Sequence, residues 1–194
     1  MILGVSGSPR RAATEYVLQW ALGRLEEVGY QTRYWTVAGK DVKHCIHCDR
    51  CLDGSGCIHS DGLTTLYPLL EEAQAYVVAT PVYNGTLSSQ LKAVLDRCRA
   101  LLAKEPRVFQ GKPFACIAVG GDRCGGQEAA IQAIHAFAVM NGGIPVAGGP
   151  FGANLGATFW SRDSLEGVKA DEEGFKSLSK TLKQLVFYLG RGRP

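Results

Sequence analysis

Five short apolar segments alternate with segments of helical periodicity, and this alternation constrains the possible folds more than any other feature of the sequence. The apolar segments are residues 2–5, 30–37, 75–80, 114–119 and 144–147. They are short and mostly continuous, as expected for parallel strands that are covered on both faces. The pattern therefore predicts an α/β domain of three layers around a five-stranded parallel sheet.

The segments between the apolar runs are expected to form helices and loops. Apolar residues at helical spacing predict a helix that contains Val17 and Leu25 and ends at Gly29. Further helices are predicted over residues 63–73, 88–103 and 127–141, with a final one between Phe175 and Leu189. Residues 43–61 lack periodicity and are predicted to form a loop insertion, and residues 148–157 a glycine-rich loop. Because no repeat or linker divides the chain, residues 1–194 are predicted to be a single domain.

The loops at the carboxyl ends of the strands are the first place to look for a ligand, because parallel α/β sheets bind ligands there. The first loop, residues 6–11, is Ser-Gly-Ser-Pro-Arg-Arg, and Thr14 opens the following helix. Hydroxyls and backbone N–H groups at a helix N-terminus bind anions, and Arg10 can add a charge-assisted hydrogen bond. The loop lacks the spacing of a Walker or dinucleotide motif. It predicts a site for one phosphate or, alternatively, only a helix cap and a turn.

Two further loops complement the first one. Residues 80–86, Thr-Pro-Val-Tyr-Asn-Gly-Thr, place Tyr83 where it can lie beside a flat ring or simply pack on the domain. Residues 120–127 contain four glycines, and the usual reason for such a costly run is a ligand lying against bare backbone. A phosphate site, an aromatic wall and a glycine-rich shelf at one end of the sheet together predict a pocket for flavin mononucleotide (FMN).

Four of the seven cysteines form the compact string C-x2-C-x2-C-x5-C, which consists of Cys45, Cys48, Cys51 and Cys57. Thiolates repel one another, so this crowding indicates a positively charged centre that holds them together. Structural zinc usually takes two cysteine pairs that lie about a dozen or more residues apart, whereas closely repeated cysteines are typical of iron–sulfur clusters. The spacing favours a [4Fe-4S] cluster. Zinc and a group of reduced or disulfide-forming thiols stay open as alternatives.

These segments together resemble a known family. The strings SGSPR, TPVYNG followed by LKAVLDR, and GGDRCGGQE are similar to the NADPH-dependent FMN reductase superfamily, which has a flavodoxin-like fold. The cysteine string between the second strand and the following helix resembles that of the iron-sulfur flavoproteins, which carry FMN and a [4Fe-4S] cluster. The resemblance covers about residues 1–150.

The resemblance also implies which residues form the sites. The implied phosphate contacts are Ser6, Ser8, Arg10 and Thr14. The implied contacts with the flavin ring are Pro81, Val82, Tyr83, Asn84, Gly85, Gly121 and Gly126. The implied cluster ligands are the four cysteines of the 43–61 insertion. One departure is that Ala13 stands where the family often has an asparagine, which removes a side chain that could hydrogen-bond the phosphate.

The resemblance implies an electron-transfer flavoprotein, an FMN-dependent oxidoreductase in which no side chain acts as acid, base or nucleophile. Single electrons from a donor such as ferredoxin would pass through the cluster to FMN and on to a quinone, oxygen or a protein acceptor. Two alternatives stay open, namely an NAD(P)H-dependent FMN or quinone reductase with a zinc-bound cysteine loop, and a non-enzymatic redox sensor. A homodimer or homotetramer is also implied.

Composition and net charge limit the kinds of binding partner and the cellular location that are expected. The net charge is only +3 and no basic stripe with interleaved aromatic residues is present, so nucleic-acid binding is not expected. No apolar run approaches the ~18 residues that a membrane helix needs, and the first residues do not form a signal peptide. Seven cysteines suit metal or redox chemistry in a reducing compartment, so a cytoplasmic location is expected.

Overall fold

The computed structural model describes residues 1–150 and 154–191, and within them the predicted α/β architecture is confirmed. The strands are β1 (Ile2–Ser6), β2 (Thr32–Thr36), β3 (Ala75–Tyr83), β4 (Thr86–Leu87), β5 (Pro113–Gly120), β6 (Ile144–Val146) and β7 (Ala157–Trp160). The α-helices are α1 (Ala13–Glu27), α2 (Tyr67–Glu72), α3 (Ser89–Arg97), α4 (Arg99–Lys104), α5 (Gln127–Met140), α6 (Leu165–Lys169) and α7 (Glu172–Arg191). Short 3-10 helices cover Arg50–Asp53 and Gly62–Thr65.

The sheet is parallel along its main path, in the order β2-β1-β3-β5-β6. Strand β5 is long enough to pair with two short strands in succession. Its first half pairs with β6, in the register Pro113↔Ile144, and its second half pairs with β7, in the register Ile117↔Ala157. The predicted fifth strand over residues 144–147 is therefore only the first half of this edge. The second half is built by β7, which was not predicted and begins at the last residue of the predicted 148–157 loop.

Alternation along the central strands divides the interior into two cores. In β3, Tyr76 and Val78 face one core while Val77 and Ala79 face the other. The first core is closed by helices α2 to α5 and the second by α1, α6 and α7. Buried strands with apolar residues on both faces produce the continuous apolar runs seen in the sequence. The three-layer prediction is confirmed.

The helix predicted over residues 88–103 is divided in two at Cys98. The N–H of Cys98 donates to the carbonyl oxygens of both Val94 and Leu95, at 3.1 and 3.2 Å, which tightens the last turn of α3. In a continuous helix, Arg97 and Arg99 would point to opposite sides, because residues two apart do not share a face. In the structure, Arg97 and Arg99, which flank this break, both line the same cavity.

Cys98 and Cys116 are both buried, as expected for small core residues. Burial raises the pKa of the Cys98 thiol to about 12, and it also raises the pKa of Cys116. Both side chains are therefore neutral thiols at physiological pH. Their burial distinguishes them from the four cysteines of the 43–61 segment, which are partly or fully exposed.

Candidate functional site

A pocket opens at the carboxyl ends of β1, β3, β5 and β7, and we call it the strand-end pocket. Its lining consists of Ser8, Arg10, Ala12, Ala13, Thr14, Pro81, Val82, Tyr83, Val119, Gly121, Ser161, Asp163, Ser164 and Leu165. It contains residues from all three loops that the sequence singled out. The loops do converge at one end of the sheet, as the position rule for parallel α/β proteins requires.

The first loop presents its hydrogen-bond donors to this pocket. Helix α1 begins after Ala12 without a side-chain cap, so the N–H groups of its first turn have no capping oxygen. Ser8 braces the loop, since its hydroxyl donates to the Arg10 carbonyl at 2.7 Å and accepts from the Arg10 N–H at 3.2 Å. Ser6 lies beneath, fully buried at the end of β1, where its hydroxyl accepts from the Ser8 N–H at 3.4 Å. An uncapped helix N-terminus beside Arg10 suits a phosphate.

The second loop is a tight hairpin. Asn84 and Gly85 both have positive φ, at 47° and 80°, and they connect β3 to the antiparallel strand β4. This is the geometry that a two-residue hairpin needs. Val82 and Tyr83 line the strand-end pocket together with Pro81, whereas Asn84 and Gly85 form the turn beyond it.

The third loop is held by its own side chains. The amide of Gln127 accepts from the Gly125 N–H at 2.8 Å and donates to the Asp122 carbonyl at 2.6 Å. Gly126 has φ +113, and a Cβ there would collide with the backbone of Gly85 in the hairpin turn. At Gly121, a Cβ would collide with the carboxylate of Asp163. Close approach of the chain to itself therefore explains at least two glycines that the sequence had attributed to a ligand.

The segment after β7 contributes pocket residues that the sequence analysis missed. Ser161 ties this segment to the third loop, because its N–H and hydroxyl both donate to the Gly120 carbonyl, at 2.8 and 3.0 Å. Arg162 and Asp163 follow with positive φ, and the Ser164 hydroxyl then caps α6. The available signal was the β-rich run Thr158–Trp160 followed by polar turn residues. The glycine-rich stretch before it concealed this signal.

The four cysteines of the 43–61 segment line a second cavity, which we call the cysteine cavity. The other lining residues are Ile46, His47, Asp49, Ile58, His59, Arg97, Arg99 and Ala100. All four cysteines are free thiols. The backbone coils around the cavity through residues in the left-handed region, including His47 at φ 52° and Asp49 at φ 59°. The sequence string is thus gathered into one place.

Charged side chains border the cysteine cavity as ion pairs. Burial raises the pKa of Cys51, nearby Arg99 opposes this rise, and the neighbouring Cys57 and Cys45 add to it. Arg97 and Arg99 both reach the cavity wall, where Arg97 is paired with Asp61 and Arg99 with Asp49, the latter at 2.7 Å. Among residues 1–150 and 154–191, no three His, Cys, Asp or Glu side chains are arranged to hold a single metal ion. Four thiol donors that line one cavity fit the ligand chemistry of an iron–sulfur cluster.

The strand-end pocket and the cysteine cavity lie near opposite ends of α3. At the start of this helix, the Ser88 hydroxyl donates to the Gly7 carbonyl in the first loop at 2.6 Å. The cysteine cavity lies at its other end, against Arg97, Arg99 and Ala100. Nine helical residues rise by about 13 Å. The cysteine string therefore comes soon after β2 in sequence, but in space it lies away from the carboxyl ends of the strands, at the other end of α3.

Comparison with known proteins agrees with this fold. Residues 1–158 match the model of the NADPH-dependent FMN reductase family, and the chain belongs to that family. It is a flavodoxin-like flavoprotein and an FMN-dependent oxidoreductase.

Two relatives are similar to this chain over nearly its whole length. The chain is 60% identical to an iron-sulfur flavoprotein of Archaeoglobus fulgidus over 186 residues, covering 96% of this chain and 95% of the relative. It is 49% identical to an iron-sulfur flavoprotein of Methanocaldococcus jannaschii over 194 residues, covering 99% and 98%. The resemblance to iron-sulfur flavoproteins is thereby confirmed.

A solved structure shares the fold. It is that of an NADH:FMN oxidoreductase in its apo form, with a TM-score of 0.67 and 21% identity, and the match covers 97% of this chain and 88% of the other. In the part of the chain that the structure describes, no helix has the length and apolar character needed to cross a membrane.

Proposed function

We propose that the protein transfers electrons between an iron–sulfur cluster in the cysteine cavity and FMN in the strand-end pocket. The observation that carries this proposal is the pairing of two sites in one chain. One is a pocket with an uncapped helix N-terminus at the strand ends, and the other is a cavity lined by four free cysteines. FMN exchanges electrons singly or in pairs, so it can link a one-electron centre to a two-electron acceptor.

The first loop and α1 are proposed to hold the FMN phosphate. The first-turn N–H groups of α1 and the Arg10 guanidinium donate hydrogen bonds to it, Thr14 lies beside it, and Ser6 and Ser8 keep the loop in position. Tyr83 is proposed to lie against the flavin ring. The remaining proposed ring contacts are Pro81, Val82, Asn84, Gly85, Gly121 and Gly126. The geometry supports Pro81, Val82 and Gly121 directly, since they line the pocket.

The cysteine cavity is proposed to hold a [4Fe-4S] cluster through Cys45, Cys48, Cys51 and Cys57. The compact spacing of the cysteines and their position around one cavity support this choice. Zinc remains the alternative ion. Free cysteines throughout the chain favour a reducing compartment such as the cytoplasm.

The proposed electron donor is a one-electron protein such as ferredoxin. Reduced ferredoxin mixed anaerobically with the protein should reduce FMN, which is followed by loss of flavin absorption. A Cys48→Ala variant, which lacks one proposed ligand, should bind FMN but be reduced at least about tenfold more slowly. Equal rates in the two proteins would contradict the proposed path.

The family's NADPH dependence supports a second candidate, an NAD(P)H-dependent FMN or quinone reductase with a zinc-bound cysteine loop. In that case NADPH would reduce FMN rapidly, and the Cys48→Ala variant would be reduced at the wild-type rate. The same anaerobic mixing experiment, repeated with NADPH, therefore distinguishes the two candidates.

The proposed assembly is a homodimer or homotetramer that brings the cysteine cavity of one chain close to the strand-end pocket of another. The length of α3 separates the two sites within one chain, and the cavity rim exposes apolar side chains. Ile46 is 53% exposed, Leu52 56% and Ile58 48%. Ile46→Ser with Ile58→Ser should shift sedimentation toward the monomer and slow electron transfer to FMN. A monomer that transfers electrons at the full rate would rule out this arrangement.

A further inference from the structure

Beneath the cysteine cavity lies a buried ion pair that the proposed electron path does not use. Arg97 Nη1 and Asp61 Oδ2 are 2.5 Å apart, and each side chain is 1% exposed. Burying two charges is unfavourable unless both are well hydrogen-bonded. Because this pair lies under the cysteine loop and not in the central core, the parts of the loop that it holds indicate its role.

Both partners bind the two ends of the cysteine segment. Arg97 donates from Nη1 to the Lys43 carbonyl at 3.0 Å and from Nη2 to the His59 carbonyl at 3.3 Å. Asp61 accepts from the Lys43 N–H at 2.9 Å and from the Leu63 N–H at 3.1 Å. All four cysteines lie between Lys43 and His59 in sequence. The ion pair, which we call the loop clamp, therefore closes the segment at its base.

Arg97 also faces the cavity. It lines the cysteine cavity, and its Nε is buried without a hydrogen-bond partner among the described residues. The guanidinium thus borders the cavity that Cys57 also lines, while Asp61 holds it from behind.

We infer that Arg97 is a positioning residue for the cluster. Anchored by Asp61, it keeps the cysteine loop closed before a cluster is bound and presents the positive end of the ion pair to the cavity that Cys57 lines. This inference rests on the proposed cluster site. It adds that the closed loop is a property of the polypeptide and that the pair raises the reduction potential of the bound cluster, because its guanidinium, which lines the cavity, is nearer than its carboxylate, which does not, and a nearer positive end favours the more negative, reduced state.

The test uses a double variant, Arg97→Met with Asp61→Asn. Removing Arg97 alone would leave Asp61 buried and unpaired, which is strongly destabilising, whereas the double change removes both charges at similar volume. The Lys43 and Leu63 N–H groups bind different oxygens of Asp61, so the substituted amide would still accept from one of the two. The matched control is Lys92→Met, which removes a cation from the same helix where its pair with Asp96 is exposed.

Two readouts are compared in wild type, double variant and control. In metal-free protein, trypsin cleavage after the exposed Arg50 should be at least about tenfold faster in the double variant, because the loop opens more often. In the reconstituted protein, a redox titration followed by electron paramagnetic resonance should give a lower midpoint potential in the double variant. FMN affinity should be unchanged in all three proteins, which shows that the domain is folded.

The inference requires both faster cleavage and a lower midpoint potential. A wild-type cleavage rate or a wild-type potential in the double variant therefore overturns it. The control must match wild type in both measurements, and an equal effect of Lys92→Met would overturn the assignment to Arg97. If the wild type takes up no iron–sulfur cluster, the proposed function fails. The cleavage comparison in metal-free protein then decides alone whether the clamp closes the loop.

Discussion

Arg10 and Arg11 are neighbours in sequence but have different surroundings in the structure. Arg11 pairs with Glu15 one helical turn further on, at 3.3 Å. Arg10 lines the strand-end pocket, and no ion pair of its side chain occurs within residues 1–150 and 154–191. Of the two cations that follow Pro9, Arg10 is therefore the one positioned to meet an anion.

Arg10→Gln should weaken FMN binding to the apoprotein by about ten- to a hundredfold, the usual value of a lost hydrogen bond to a charged group. Arg11→Gln removes the same charge from an adjacent position and should change the affinity by less than about threefold. Quenching of flavin fluorescence during titration measures both. Similar losses in the two variants would point to general attraction of the anion rather than a contact from Arg10.

Cys48 and Cys124 are the two exposed cysteines, and they separate the proposed sites chemically. Cys48 lines the cysteine cavity, whereas Cys124 lies in the third loop outside the linings of both the cysteine cavity and the strand-end pocket. Cys48→Ala should abolish iron and acid-labile sulfide while FMN content is retained. Cys124→Ala should retain both. Loss of FMN together with iron in Cys48→Ala would show that the two sites are not independent.

At the scale of elements, much of the architecture could be predicted from the sequence because buried parallel strands leave continuous apolar runs. The strand β7 was missed because it has only four residues and follows a glycine-rich stretch. The break between α3 and α4 was missed because Cys98 continues the apolar periodicity of the helix. The additional hydrogen bond from the Cys98 N–H to the Leu95 carbonyl does not change the spacing of apolar residues in the sequence.

The candidate sites, too, could be predicted from the sequence only in part. The loops that carry Arg10, Tyr83 and Gly121 were predicted because their residue types differ sharply from those of the strands before them. The contribution of Asp163 could not be predicted, since it depends on the pairing of β7 with β5. The contact of Arg97 with the cysteine segment depends on residues 36 positions apart, namely Arg97 and Asp61. Long-range contacts of this kind have no local signature.

The junction of the hairpin and the third loop should be sensitive to a single methyl group. Gly126→Ala places a Cβ against the Gly85 backbone at φ +113, so it should lower the free energy of unfolding by about 1–3 kcal/mol. Gly125→Ala is the matched control, because the nearest atom to its Cβ would be 3.7 Å away, in ordinary contact. Urea unfolding measures both. Equal stability of the two variants would show that the hairpin contact yields without cost.

At the scale of the whole molecule, stability should depend on pH partly through His135. This side chain lies on α5 with Nε2 buried and without a hydrogen-bond partner in the described chain, and burial lowers its pKa below the ordinary 6.5. The unfolded chain therefore binds the proton more readily, so stability falls as pH drops below about 6.5.

Cluster-free protein with FMN bound should therefore unfold at a lower temperature at about pH 5 than at about pH 8. The variant His135→Leu should lose less stability over the same interval, because it has no imidazole to protonate. Thermal melting followed by circular dichroism measures the difference. An identical pH dependence in both proteins would assign the acid sensitivity to other groups.

The whole molecule joins the strand-end pocket to a cysteine cavity at the far end of α3, and the central proposal is that FMN and an iron–sulfur cluster occupy them. Anaerobic purification followed by iron, acid-labile sulfide, zinc and flavin analysis tests this claim most directly. The expected result is about four iron and about four sulfide with one FMN per chain. One zinc per chain without iron, beside the same amount of FMN, would contradict it.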